Sequence, residues 1–150
     1  PPIDCPFTAL EKIITELKET IDLSNKIIFI DFHAEATAEK QCFAKYAASL
    51  GAQAVIGTHT HVQTADETIF DNCAYQTDVG FCGSKKSVIG MEYEASLKRL
   101  ITSINERFDV EDALPYILNA SEIEFIDNFP KSIRRISFEY TKDEEKESED

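Results

Sequence analysis

The chain has no CxxC pair, no apolar run long enough to span a bilayer, no internal repeat and few basic residues, and no signal peptide is expected. Each absence excludes something. Without CxxC spacing, Cys5, Cys42, Cys73 and Cys82 do not form a zinc ribbon or knuckle. They read as free thiols in a reducing compartment, so a cytoplasmic location is expected, with a Cys73–Cys82 disulfide as the alternative. With no long apolar run, no membrane partner is expected. Lys and Arg number 15 against 28 Asp and Glu, for a net charge of −13. Such a chain lacks the basic stripe that neutralises phosphates, so polymeric nucleic acid is not an expected partner. A small phosphorylated substrate stays open where metal cations supply the positive charge. The chain opens Pro1-Pro2-Ile3-Asp4 with no initiator Met, which points to a processed product or an excised fragment.

What is present fits one domain, or a large piece of one. At 150 residues and 43% hydrophobic, the chain can build a packed core. The tail Thr141–Asp150 holds six acids against two lysines, a net −4, and leaves −9 on the rest. That tail is expected to be disordered, and residues 1–140 to form the domain.

Hydrophobic spacing predicts helices over Phe7–Ile21, Thr37–Leu50 and Glu92–Ser103. Thr8 is a candidate cap for the first, with Leu10, Ile13, Ile14, Leu17 and Ile21 inward; Gly51 closes the second. Ile27–Phe32 reads as a strand buried on both faces, followed by a short strand over Gln53–Ile56. Thr68–Phe70 and Ala74–Thr77 read as strands around a turn, and Asp78–Gly90 as a loop. Arg107–Val110, Tyr116–Ile126 and Ile133–Tyr140 alternate, as antiparallel strands solvated on one side do. The fold class is therefore α/β, with parallel and antiparallel strands mixed.

All three histidines follow strand-like runs. His33 follows Ile27–Phe32, and His59 and His61 follow Ala54-Val55-Ile56 in Gly57-Thr58-His59-Thr60-His61. Open α/β sheets place their chemistry past the carboxyl ends of strands. Alternation puts His59 and His61 on one side of an extended segment. Imidazoles gathered there suit a metal site, and leave the metal open. Metal-free acid–base or phosphate contacts, and a purely structural role, are the alternatives. Asp31, Glu35, Glu39 and Asp66 are nearby carboxylates; Asp31-Phe32-His33 could be a ligand pair, Glu39 a solvated helix face, and Asp66 a turn cap. Asp78 is either support for the site or part of a turn.

Gly57–His61 resembles the late G-H-x-H element of the calcineurin-like metallophosphoesterases. Ile30–Lys40 is similar to the D-F-H-x-E-A-T-x-E-K segment of their YmdB-type branch, and Val55–Asp66 matches that branch closely. Thr77–Gly80 and Ser87–Met91 fit its following loop, and the resemblance runs from Pro1 to about Val110. It implies a sandwich of two β-sheets flanked by helices, of which this chain is the C-terminal portion. It implies bacterial phosphodiesterases acting on 2′,3′- or 3′,5′-cyclic nucleotides with two divalent metal ions, Mn or Fe, or else Zn. His33 and His59 would bind one metal and His61 the other. Asp31, Glu35, Thr58, Thr60, Asp66 and Asp78 would support the ligands or touch substrate.

Part of the family pattern is not found here. The sequence has no G-D-x-x-G, no G-N-H and no fourth histidine. The general-acid His of the family is therefore expected upstream of Pro1. The expectation is a metal-dependent phosphodiesterase portion, inactive alone, or a split half that needs a complement or forms a homo-oligomer. A His-x-His amidohydrolase fits poorly, because such barrels need a longer chain.

Overall fold

The computed structural model of the protein describes residues 4–104, 107 and 109–142. Helix α1 (Pro6–Thr20) leads to strand β1 (Phe29–His33), helix α2 (Thr37–Leu50) and strand β2 (Ala54–Thr58). Strands β3 (Thr68–Phe70), β4 (Cys73–Gln76) and β5 (Cys82–Ser84) follow. Helix α3 (Tyr93–Thr102) then precedes the long hairpin of β6 (Tyr116–Ile126) and β7 (Phe129–Tyr140). Among the described residues two sheets form, ordered β1-β2-β4-β3 and β5-β6-β7. β1, β2 and β4 are parallel, β3 pairs antiparallel with β4, and the second sheet is antiparallel throughout.

The main core lies between the first sheet and the first two helices. Leu10 and Ile14 of α1 and Phe43, Ala44 and Ala47 of α2 pack on Phe32, Val55, Cys73 and Tyr75. Phe32 and Phe43 stack with ring centroids 3.8 Å apart. The opposite face of the sheet meets the hairpin, where β7 packs on β3 and β4. This contact is polar: Ser121 Oγ donates to Gln76 Oε1 at 2.5 Å, and Gln63 Nε2 donates to the Ala120 and Ile136 carbonyls. β2 is buried on both sides, as its all-apolar run requires.

Several elements differ from the sequence expectation, each for a physical reason. β1 is not buried on both faces. Among the described residues it is an outer strand, and Phe29 is 55% exposed while Phe32 is buried. Thr8 does not cap α1; Cys5 holds the N-cap position without a side-chain cap bond, and Pro6 starts the helix, needing no N–H there. Ile13 and Ile21 lie exposed rather than inward. The expected Asp78–Gly90 loop contains β5, a three-residue edge strand too short to show periodicity. Arg107–Val110 is not a strand among the described residues; only Val110 makes a bridge, to Met91. β7 begins at Phe129, before the expected Ile133, with Pro130 beside a register shift where its missing N–H is tolerated. Gly51 caps α2 with φ 103°. Cys73 and Cys82 are free thiols, so the alternative disulfide is not formed. Residues 143–150 of the acidic tail lie outside the described residues. No helix among the described residues is long and apolar enough to cross a membrane.

Candidate functional site

The carboxyl ends of β1 and β2 stand side by side, with His33 paired in register to Thr58. This brings Asp31, His33, Thr58 and His59 to one place. Thr58 Oγ1 donates to Asp31 Oδ1 at 3.0 Å, and His33 Nδ1 lies 3.0 Å from the same hydroxyl oxygen. A hydroxyl has one proton, and Asp31 receives it. The oxygen therefore accepts from His33 Nδ1–H, which turns Nε2 toward His59. That Nε2 lies 3.0 Å from His59 Nδ1, with the rings edge to face.

β2 ends at Thr58, so His59 and His61 do not share the side of an extended strand. They sit in a bend with φ of 122° and 62°. His61 turns away from the other pair: its Nδ1 donates to the Ile89 carbonyl at 2.8 Å, and its ring stacks on Phe81. Ile89 has φ 47°, an outlying conformation for a β-branched residue, in the turn that aims this carbonyl. Among the described residues, no three His, Cys, Asp or Glu side chains converge as a metal-holding group. Among the described residues His33 and His59 are in contact while His61 bonds elsewhere, so the three imidazoles do not form one cluster.

The remaining candidates divide clearly. Glu35 and Glu39 join Asp4, Phe32, His33 and His59 around an open cleft of about 320 Å³. Glu39 therefore borders the cleft rather than a plain solvated face. Asp66 is drawn away from the histidines: it accepts from Thr77 N–H at 3.1 Å and from the Thr77 hydroxyl. Burial pushes the Asp66 carboxyl up, but bonds from Thr64 and Thr77 outweigh it and hold the group below its ordinary range. Asp78 is fully buried, and its Oδ2 accepts the Thr60 N–H at 2.8 Å and Lys40 Nζ at 2.9 Å. Burial again pushes up, while the bonds from Thr60, Lys40 and Gly80 bring the net shift down. Lys40 was not legible as a site residue. Its only signal was its position at the end of the D-F-H-x-E-A-T-x-E-K segment.

A divalent metal is implied by the resemblance, and the donor set tests that implication. Two nitrogen ligands, each about 2.1 Å from one tetrahedral ion, would stand about 3.4 Å apart. His33 Nε2 and His59 Nδ1 are hydrogen-bonded to each other at 3.0 Å, close enough for both nitrogens to turn onto one ion. Both His33 and His61 give their other nitrogen to an oxygen, the arrangement that orients metal-bound imidazole. His33 and His59 fit as part of a metal set, and His61 lies outside their group among the described residues.

Two sheets, the first faced by helices, with imidazoles past parallel strand ends, define an α/β protein of the two-sheet phosphatase kind. The chain belongs to the YmdB-like family, whose model matches residues 1–136. It is 44% identical over 113 residues to the 2′,3′-cyclic-nucleotide 2′-phosphodiesterase of Bacillus subtilis (strain 168), covering 75% of this chain and 41% of that protein. A crystal structure of a hypothetical protein from Thermus thermophilus superposes with TM-score 0.83 at 35% identity, over 93% of this chain and 53% of the other. A novel phosphatase from Mycoplasma pneumoniae superposes with TM-score 0.78 at 34% identity, over 89% and 46%. The chain thus spans about two fifths of the Bacillus relative's length.

Proposed function

We propose that this chain carries the His33, His59 and His61 part of a metal-dependent phosphodiesterase acting on cyclic nucleotides. The observation that carries the reading is the approach of His33 Nε2 to His59 Nδ1 at 3.0 Å past two parallel strand ends. The similarity to the Bacillus 2′,3′-cyclic-nucleotide 2′-phosphodiesterase supports that substrate class. His33 and His59 would hold one divalent ion and His61 the other, with Mn or Fe the best candidates and Zn the next. When bound, such ions stabilise phosphoryl charge and supply a hydroxide nucleophile near neutral pH.

The chain's own residues prepare this chemistry. Asp31 and Thr58 set the His33 tautomer, and the Ile89 carbonyl sets that of His61. Glu35 and Glu39 line the cleft beside the first pair. With no three-ligand group among the described residues, this chain alone should bind Mn²⁺ weakly and turn over little. The remaining ligands and a general-acid His would come from residues outside this sequence.

Hydrolysis tests the reading. This chain with Mn²⁺ should leave bis-p-nitrophenyl phosphate nearly intact, and robust turnover contradicts the partial-ligand reading. A reading frame extended upstream of Pro1 through an Asp motif and an Asn-His motif should hydrolyse 2′,3′-cyclic AMP with Mn²⁺ and lose that activity on His59→Ala. An extended chain that leaves the cyclic nucleotide intact contradicts the function itself.

A second reading, a non-catalytic half that pairs with a complement, is favoured by one feature. Phe29 on β1 and Leu100 and Ile101 on α3 are large apolar groups left exposed.

A further inference from the structure

The ion pair behind the histidine loop is costly enough to need a reason. Lys40 is 1% exposed and Asp78 0%, with Nζ to Oδ2 at 2.9 Å. Moving two charges out of water offsets much of their attraction, so a buried pair is weak evidence for stability. Its geometry points elsewhere. The oxygen that meets Lys40 also accepts the Thr60 N–H at 2.8 Å, and Oδ1 accepts the Gly80 N–H at 3.0 Å. Thr64 ties in the same segment: its hydroxyl accepts the Asp78 N–H at 2.9 Å, and its own N–H donates to the Asp78 carbonyl at 3.0 Å. Thr60 stands between His59 and His61, both held at positive φ, where L residues seldom rest without support. Gly57 leaves room for the arrangement, since a Cβ there would lie 1.8 Å from the Thr77 carbonyl oxygen and 3.0 Å from Lys40 Cδ.

We propose that Asp78 is a positioning residue, with Lys40 its buried counter-charge: the Asp78 side-chain oxygen holds the Thr60 amide, and this clamp sets where His59 and His61 present their ring nitrogens. The proposal rests on the metal reading above for its purpose, while the clamp itself is a property of the loop. Lys40 reaches the loop from α2, so the helix that follows His33 also disciplines the histidines that follow β2.

Two charge-neutral variants separate positioning from structural filling. Lys40→Met with Asp78→Asn keeps a side-chain oxygen for the Thr60 amide. Lys40→Met with Asp78→Leu removes it and fills the space with carbon. Amide hydrogen exchange on the metal-free chain and Mn²⁺ titration by electron paramagnetic resonance are the readouts. Expected is near wild-type Thr60 protection and Mn²⁺ affinity in the Asn variant. In the Leu variant, Thr60 exchange should rise at least tenfold and Mn²⁺ affinity should fall about tenfold or more, with the α2 amides of Ala44 and Ala47 unchanged. A Leu variant that keeps Thr60 protection and affinity overturns the proposal, as does an Asn variant impaired equally. If the Leu variant loses protection in α2 as well, Thr60→Pro decides, because it deletes the amide and leaves the ion pair in place. Unchanged Mn²⁺ affinity in that folded variant overturns the proposal, and a comparable loss supports it. A wild-type chain that binds no Mn²⁺ removes the metal reading alone, and the exchange comparison then decides the clamp.

Discussion

Thr58 meets two demands at once, donating to Asp31 and accepting from His33. Removing its hydroxyl frees His33 to change tautomer and orientation. Thr58→Val should weaken Mn²⁺ binding by about 10–100-fold, while Thr58→Ser should keep it, measured by isothermal titration calorimetry. Gly57 carries a different constraint, because the Thr77 carbonyl passes where its Cβ would sit. Gly57→Ala should destabilise the chain by about 1–3 kcal/mol or more in urea unfolding, through forced backbone shifts at a buried strand. At this scale the sequence was uneven. Asp31 and His33, two apart, were legible as neighbours on one strand face. Lys40 was not, since a lysine on an amphipathic helix ordinarily faces water, and only the fold shows the buried carboxylate it meets.

The loop from His59 to Asp66 is an element without regular structure, held by side chains rather than by a ladder. Asp78, Gln76 and Gln63 tie it to β4 and to the hairpin. Breaking one partner of the buried pair leaves the other charge uncompensated. Lys40→Met alone should therefore cost about 3–5 kcal/mol, read from the urea midpoint. Acid should act on the same element. Asp66 and Asp78 sit below their ordinary 3.8 in the folded chain, so their contribution is complete above that value. It is lost as pH falls from 3.8 through the lower folded values, because the unfolded chain binds the protons first. Thermal unfolding should show stability falling below pH 3.8, with a shallower acid slope in Asp78→Asn. Helical periodicity and the Ala54-Val55-Ile56 run made α1, α2 and β2 readable in outline. Burial of β1 was misread because an apolar run does not reveal whether a strand lies inside a sheet or at its edge. β5 escaped because three residues carry no period.

Across the whole molecule, the two sheets meet through polar contacts while apolar groups remain outside. Leu100 is 80% exposed and Ile101 73%. Surfaces of this kind favour association. Light scattering should show a mass above that of one chain, and Leu100→Glu with Ile101→Glu should lower it; a wild-type monomer at all concentrations contradicts the second reading. The family was legible from Asp31–Lys40 and Gly57–His61, because those residues are drawn together by chemistry rather than by packing. The bend that carries His59 and His61 was not legible, because it depends on positive φ after β2. The most direct test of the metal reading is a Mn²⁺ titration of this chain and its His33→Ala, His59→Ala and His61→Ala variants, followed by electron paramagnetic resonance. Weak, saturable binding that falls at least tenfold in His33→Ala and in His59→Ala is the predicted result. Binding that is absent in the wild-type chain, or indifferent to both substitutions, would contradict it.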